Sequence, residues 1–275
     1  MTLDLNGTLL LVGCGKMGGA LLAGWLEQGV DPTQVIVVDP ALDPSRISIP
    51  QGVQVVVNAD EISGDVIPSV ILLAVKPQAM GDVVPAYAKY AASGAVYLSI
   101  AAGTPISFFQ NQFGDTAHIV RVMPNTPAAV GQGMSVLCAN GNVSPVQKEL
   151  CGALLEAVGQ TAWLEDENLM DAVTAVSGSG PAYVFLLIES LAEAGRKVGL
   201  PDALAQQLAL QTVAGSGELA RQSEEAPAQL RINVTSPGGT TAAALDVLMA
   251  NNGLQPIMDA AVAAAERRGR ELGAS

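Results

Sequence analysis

The chain has 275 residues, 49% of them hydrophobic but only 4% aromatic, with 29 glycines, a size that suits one large domain or two ordinary ones. That balance excludes an intrinsically disordered chain, which would be charge-rich and apolar-poor. The formal net charge of −13 excludes nucleic acid and an anionic membrane as main partners, because both are met by a basic footprint.

The first 163 residues alternate short apolar runs with helical patterns. Leu9–Val12 reads as a strand, followed by a glycine loop and an amphipathic helix over 17–28. Val35–Val38 and Gln54–Val57 are further strand runs, and Val70–Val75 is the strongest. A helix is expected over 78–92, then strands at Val96–Ile100 and His118–Met123. Runs that are apolar on both faces suit a parallel sheet covered by helices on each side. Their alternation with helices predicts a doubly wound α/β domain.

Beyond Trp163 strand-like runs disappear and alanine-rich helical patterns continue to the C-terminus. The expected division is therefore residues 1–163 and an all-helical 164–275. A helix over 181–198 starts on Pro181 and stops before Gly199 and Pro201, the proline-in, glycine-out asymmetry of helix ends. Its first half, Ala182–Ile188, is apolar all round. A helix without a polar face needs cover on every side, so this one is expected in a subunit interface.

Cys14, Cys138 and Cys151 form neither a CxxC pair nor an even secreted framework, which predicts a reduced, cytoplasmic chain. The start Met1-Thr2-Leu3-Asp4 lacks the positive region of a secretory signal. The uncharged stretches 90–114 and 122–147 are interrupted by Pro, Gly, Asn and Gln, whereas a spanning helix needs about 20 mostly apolar residues. A soluble protein without a membrane span is expected.

Four segments carry chemistry. Gly13-Cys14-Gly15-Lys16-Met17-Gly18 lies directly after a strand run and opens a helix, the context that turns a GxGxxG pattern into a dinucleotide loop of the Rossmann type. Gly13 would permit the tight turn, Gly15 the approach of a pyrophosphate, and Gly18 close helix–strand packing. Lys16 reads equally as a phosphate contact and as a solvated side chain. Asp39 ends the second strand run about 20 residues on, where an acid reads the ribose 2′-hydroxyl and favours NAD. Ser45 and Arg46 follow Pro40 closely and could hold a 2′-phosphate, so the choice between NADH and NADPH stays open.

The third segment is Ser236-Pro237-Gly238-Gly239-Thr240-Thr241, which leads into a helical run. A glycine loop at a helix N-terminus offers N–H groups to an anion such as a carboxylate. The plainer reading is an ordinary cap by Ser236 or Thr240. The fourth is the Ser/Gly break Ser177–Gly180 between two apolar helical runs, either a hinge or a site lining. Pro124-Asn125-Thr126-Pro127 adds a rigid polar turn at a strand end, the edge of an α/β sheet where ligands gather. His118, the single histidine, lies inside a strand run and reads as structural. No cluster has metal-ligand spacing and no nucleophile elbow appears. A redox enzyme whose protein part mainly positions its reactants fits this inventory.

With these motifs in this order, the chain resembles the pyrroline-5-carboxylate reductases along its whole length. The resemblance rests on Gly13–Ala20, Ala74–Gln78, Ser99–Gly103, Arg121–Pro127, Asp171–Tyr183 and Ser236–Thr241. It implies NAD(P)H-dependent reduction of 1-pyrroline-5-carboxylate, a cyclic imine carboxylate, to L-proline. It also implies a helical domain that interlocks in a dimer, with dimers assembling further into a decamer. Carried over by position, the cofactor would meet Gly13, Cys14, Gly15, Lys16, Met17, Asp39, Pro40, Asn58, Val75, Lys76, Pro77, Ala102 and Asn233. Glu167, Ser236, Gly238, Gly239, Thr240 and Thr241 would meet the substrate, and the Thr241 hydroxyl would bond the ring nitrogen. Lys16 and Asp39 depart from residues common in the family. Two other readings compete: a 3-hydroxyacid dehydrogenase, which wants a lysine on the long helix where only Arg196 and Lys197 stand at its far end, and a non-catalytic nucleotide sensor.

Overall fold

The structure, a computed structural model, describes residue 5 and residues 7–42 and 49–273. Eight strands form one sheet in the order β3-β2-β1-β4-β5-β6-β7-β8. The strands are β1 (Thr8–Val12), β2 (Val35–Val38), β3 (Gln54–Val56), β4 (Pro68–Leu73), β5 (Val96–Ser99), β6 (His118–Met123), β7 (Gly133–Ala139) and β8 (Gly159–Trp163). The first six are mutually parallel; β7 runs antiparallel to β6, and β8 parallel to β7. The order reverses at β1, which pairs with β2 on one side and β4 on the other.

Successive side chains of a strand point to opposite faces, and the two faces have separate cores. Leu9, Leu11, Val35, Val37, Val70, Leu72, Val96 and Leu98 pack with Leu21, Leu22 and Trp25 of helix α1 (Lys16–Glu27). Gly24 allows α1 to lie so close that an added Cβ would stand 2.8 Å from the Ala157 carbonyl oxygen. The neighbouring Trp25 indole donates to the Leu154 carbonyl at 2.7 Å. On the other face Leu10, Val12, Ile71, Leu73, Tyr97 and Ile119 pack with Met80, Val84, Tyr87 and Phe109.

Residues 78–92 do not form the single helix expected. A 3-10 turn (Pro77–Ala79), one α turn, α2 (Met80–Val83), and a 3-10 stretch (Val84–Ser93) replace it. Pro85 lies inside the segment, where its ring and missing N–H are incompatible with a continuous α ladder. Helix α3 (Ile106–Phe113) and α4 (Pro145–Glu156) complete the cover of the sheet. Ser144 and Gln147 form a reciprocal capping box at the start of α4, with Pro145 at its first position.

The chain divides by packing into two compact units, residues 1–178 with 266–275, and residues 179–265. The division falls after Gly178 and not at Trp163, because α5 (Met170–Val173) and the π-helical turn Thr174–Gly178 pack with the sheet unit. The second unit consists of α6 (Gly180–Lys197), α7 (Asp202–Gln222), α8 (Pro227–Asn233), α9 (Thr240–Leu248) and most of α10 (Leu254–Gly273). Within it Gly195 lies close to Ala205, joining α6 to α7. Only Ala192 of α6 is buried, while Val184, Phe185, Leu186 and Leu187 are 44–60% exposed. The helical run Glu167–Lys197 is also long and apolar enough to cross a membrane, by length and composition.

Candidate active site

β1 ends in the turn that opens α1. Gly13 has a positive φ of +88°, and a Cβ there would be 2.9 Å from Val75 Cγ1. A Cβ on Gly18 would run into the Gly13 carbonyl oxygen, so the helix can leave the turn this closely only without a side chain. At Gly15 a Cβ would meet nothing within 4 Å, and this residue is exposed. Its lack of a side chain is therefore not needed by the protein's own packing; it leaves backbone bare toward a groove. Gly15 is the N-cap of α1 and no side chain caps that helix, so the first N–H groups of α1 lack intrahelical acceptors and can meet an anion.

The groove has a volume of about 530 Å³ and lies at the point where the strand order reverses. It brings together Gly13, Gly15, Asp39, Pro40, Asn58, Val75 and Lys76. Asp82, Val83 and Tyr87 also line it; the irregular 77–93 segment supplies them, and a helix pattern read from sequence does not reveal which way they face. Pro77 and Ala102 line a second cavity of the sheet unit, together with Phe108, Thr174 and Leu272. The anticipated contacts Cys14, Lys16 and Met17 lie in the glycine turn and the start of α1 and do not line the groove. Ser45 and Arg46 lie outside the described residues.

Asp39 does more than face the groove. Its Oδ2 accepts the Cys14 N–H at 2.7 Å and its Oδ1 the Ala41 N–H at 2.8 Å. The carboxylate thus braces the glycine turn, with lone pairs left for a further donor. Burial, reinforced by the nearby Asp39 charge, pushes the Cys14 thiol up to about 11. Asn58 donates to Glu61 Oε1 at 3.4 Å.

Glu167 is held against the start of α3, beyond the C-terminal end of β5. Its Oε1 accepts the Ile106 N–H at 2.8 Å and Arg121 Nη1 at 2.8 Å, and Arg121 Nη2 lies 4.0 Å from Asp171 Oδ1. Arg121 is nearly buried, and a buried cation requires such partners. An arginine inside the run His118–Met123 was the sequence signal for this cluster.

In the helical unit, Ser236 O accepts the Gly239 N–H at 3.0 Å, and Gly238 adopts φ +68°, as a proline–glycine turn requires. Neither Ser236 nor Thr240 caps α9, contrary to the plainer reading. Gly239 is the N-cap, without a side-chain bond, and Thr240 is the first helical residue. The helix starts one residue too early for Thr240 to cap it and three residues too late for Ser236. The leading N–H groups of α9 therefore have neither intrahelical nor side-chain acceptors, with Thr241 half-buried beside them. Asn233, the last residue of α8, donates to Glu225 and accepts from Gln229, both at 2.8 Å.

A glycine turn without side-chain cover, at the switch point of a parallel sheet, defines a Rossmann-type dinucleotide-binding enzyme. The family models that match are those described as NADP oxidoreductase coenzyme F420-dependent, over residues 8–103, and pyrroline-5-carboxylate reductase dimerisation, over residues 167–272. The chain belongs to the pyrroline-5-carboxylate reductase family. It is 43% identical to the pyrroline-5-carboxylate reductase of Pseudomonas aeruginosa over 265 residues, 96% of each chain. It is similar to the solved structure of a pyrroline-5-carboxylate reductase from Coxiella burnetii, with TM-score 0.90, 34% identity and coverage of 97% of this chain and 98% of that one. It is likewise similar to the Plasmodium falciparum pyrroline carboxylate reductase solved with NADP bound, with TM-score 0.82, 33% identity and coverage of 98% and 99%. The family's dimerisation segment spans the helices whose apolar faces are exposed in the single chain.

Proposed function

We propose that the chain reduces 1-pyrroline-5-carboxylate to L-proline with NADPH or NADH, NADPH being favoured. The observation that carries this reading is the uncapped start of α9. Its leading N–H groups and the Thr241 hydroxyl form a cradle for a small carboxylate that also carries a hydrogen-bonding ring atom. The bare glycine turn at Gly13–Gly18 and the anion-ready start of α1 fit a dinucleotide. When bound, the reduced nicotinamide supplies the hydride. Gly13, Cys14, Gly15, Lys16 and Met17 would hold the pyrophosphate side. Asp39, Pro40, Asn58, Val75, Lys76, Pro77, Ala102 and Asn233 would complete the cofactor contacts. Ser236, Gly238, Gly239 and Thr240 would hold the substrate carboxylate, and Thr241 would orient its nitrogen. Glu167 would be a further substrate contact, with one carboxylate oxygen already committed to Ile106 and Arg121.

In this reading the sheet unit carries most of the cofactor contacts, and the helical unit the substrate loop and the dimer contact. A second copy, not lipid, covers α6, and dimers assemble further into a decamer. The enzyme works in the cytoplasm, where Cys14, Cys138 and Cys151, all free and buried, stay reduced.

The test follows absorbance of NADPH and of NADH with pyrroline-5-carboxylate and, separately, with a 3-hydroxyacid and NAD(P)⁺. Turnover of the imine alone is expected. Oxidation of the hydroxyacid, or cofactor binding without turnover, would overturn the reading. Thr241→Ala should lower kcat by about 10²–10³, the usual loss for one positioned donor, without a matching fall in thermal midpoint. An unchanged kcat removes Thr241 from the mechanism.

A further inference from the structure

One side chain of the sheet unit ties together three segments distant in sequence. Asn125 follows β6; its Oδ1 accepts the Met134 N–H of β7 at 2.8 Å. Its Nδ2 donates to both the carbonyl and the hydroxyl of Ser177, each at 3.3 Å. Ser177 belongs to the π-helical turn Thr174–Gly178, and π turns inserted between α segments recur at functional sites. The same turn also packs on β6: Gly178 lies against the flexible terminal methyl of Met123, the last residue of that strand. Thr174 donates its hydroxyl back to the Met170 carbonyl at 2.9 Å, which fixes the start of the turn.

The location gives this tie its meaning. Asp39 and Asn58 stand on the β2 and β3 side of the glycine turn, the side that reads adenosine in a doubly wound sheet. The reactive half of a dinucleotide is thereby left to the C-terminal ends of β4, β5 and β6. Met123 and Asn125 are at the end of β6, and Thr174 lines the cavity that also contains Pro77 and Ala102 beyond β4 and β5.

We propose that Asn125 is a positioning residue for hydride transfer: its amide clamps the π turn Thr174–Gly178 to the end of β6 and so fixes one wall of the reacting end. This rests on the reductase reading above. The clamp requires an amide. Oδ1 must accept and Nδ2 must donate, and no other side chain of this size offers both in one plane. Displacing a wall of a reacting site by about 1 Å costs on the order of 10² in rate.

The experiment compares Asn125→Asp, Asn125→Leu and Ser177→Ala with the unsubstituted enzyme, per folded molecule. Asn125→Asp retains size and the acceptor for Met134 N–H but turns a second acceptor toward the Ser177 carbonyl. Its kcat with pyrroline-5-carboxylate should fall about 10- to 100-fold. KM for NADPH should stay within about 2-fold, because the glycine turn is untouched. The primary isotope effect with 4-deuterated NADPH should rise as hydride transfer becomes limiting. Ser177→Ala, which leaves the carbonyl in place, should lose less than about 3-fold, the share of one neutral hydrogen bond. Asn125→Leu, of similar size, removes both halves of the clamp without adding a charge and should reproduce the loss and the isotope effect, independently of how well the aspartate variant folds. Unchanged turnover and isotope effect in both Asn125→Asp and Asn125→Leu, or losses wholly matched by the unfolded fraction, overturn the clamp. No imine turnover by the unsubstituted enzyme overturns the reductase reading with it, so the two failures are told apart.

Discussion

Gly13, Gly15 and Gly18 are glycine for three different physical reasons: a left-handed turn, an open approach and a carbonyl at contact distance. Only the middle one is free to gain a methyl group without strain. Gly15→Ala should therefore fold with an unchanged thermal midpoint yet bind NADPH at least about 10-fold more weakly, the cost of losing about 1.4 kcal/mol of close backbone contact. Isothermal titration alongside a melting curve checks both halves, and undiminished affinity would separate Gly15 from the cofactor. The sequence alone made these roles readable, because strand, loop and helix follow one another without a gap. The second task of Asp39 was not readable. Its bond to Cys14 depends on β1 and β2 lying side by side, a pairing across 25 residues, whereas its bond to Ala41 is local. Nor did residue order show that Glu167 is tied to Ile106 and Arg121, which come from two other elements.

At the scale of elements, five of the six parallel strands were legible as apolar runs because they are buried on both faces, while β3 keeps only Val56 buried. β8 was not, since Gly159–Trp163 contains no fully buried residue and reads as an ordinary loop. β7 lies in a charge-free stretch whose glycines and asparagines conceal its pattern. The start of α4 carried its signal openly in Ser144-Pro145 and Gln147. Helix α6 combines both situations: its limits follow from Pro181 and Gly199, while the use of its apolar surface depends on a partner. If a second copy covers that surface, Phe185→Glu should weaken self-association about 100-fold or more, as for a central interface aromatic. Sedimentation velocity over a concentration series would read the shift. An unaltered mass at micromolar protein would show that this side chain lies outside the interface.

The whole molecule responds to alkaline pH through groups that stay protonated inside it. Burial pushes Cys151 up to about 12 and Cys14 up to about 11. It also raises the Tyr87 and Tyr97 phenols. In the unfolded chain these thiols ionise near pH 9, so between about 9 and 11 the folded state binds more protons than the unfolded one. Stability must then fall with rising pH. It is complete below about pH 9 and should decline by about 5 kcal/mol by pH 11 from the two thiols alone. Urea midpoints at pH 8, 9.5 and 11 measure this, and a constant midpoint would contradict the burial of these groups.

The return of residues 266–273 to the sheet unit has a consequence for synthesis. The second cavity of that unit takes part of its wall from Gly269, Leu272 and Gly273, the last described residues of the polypeptide. A ribosome delivers them after every strand and after the whole helical unit. Domains that are continuous in sequence can fold as they emerge; this sheet unit cannot finish until residues 266–273 have emerged. A nascent chain stalled at residue 260 should accordingly yield to protease in the 102–108 region, and one extended past residue 275 should not.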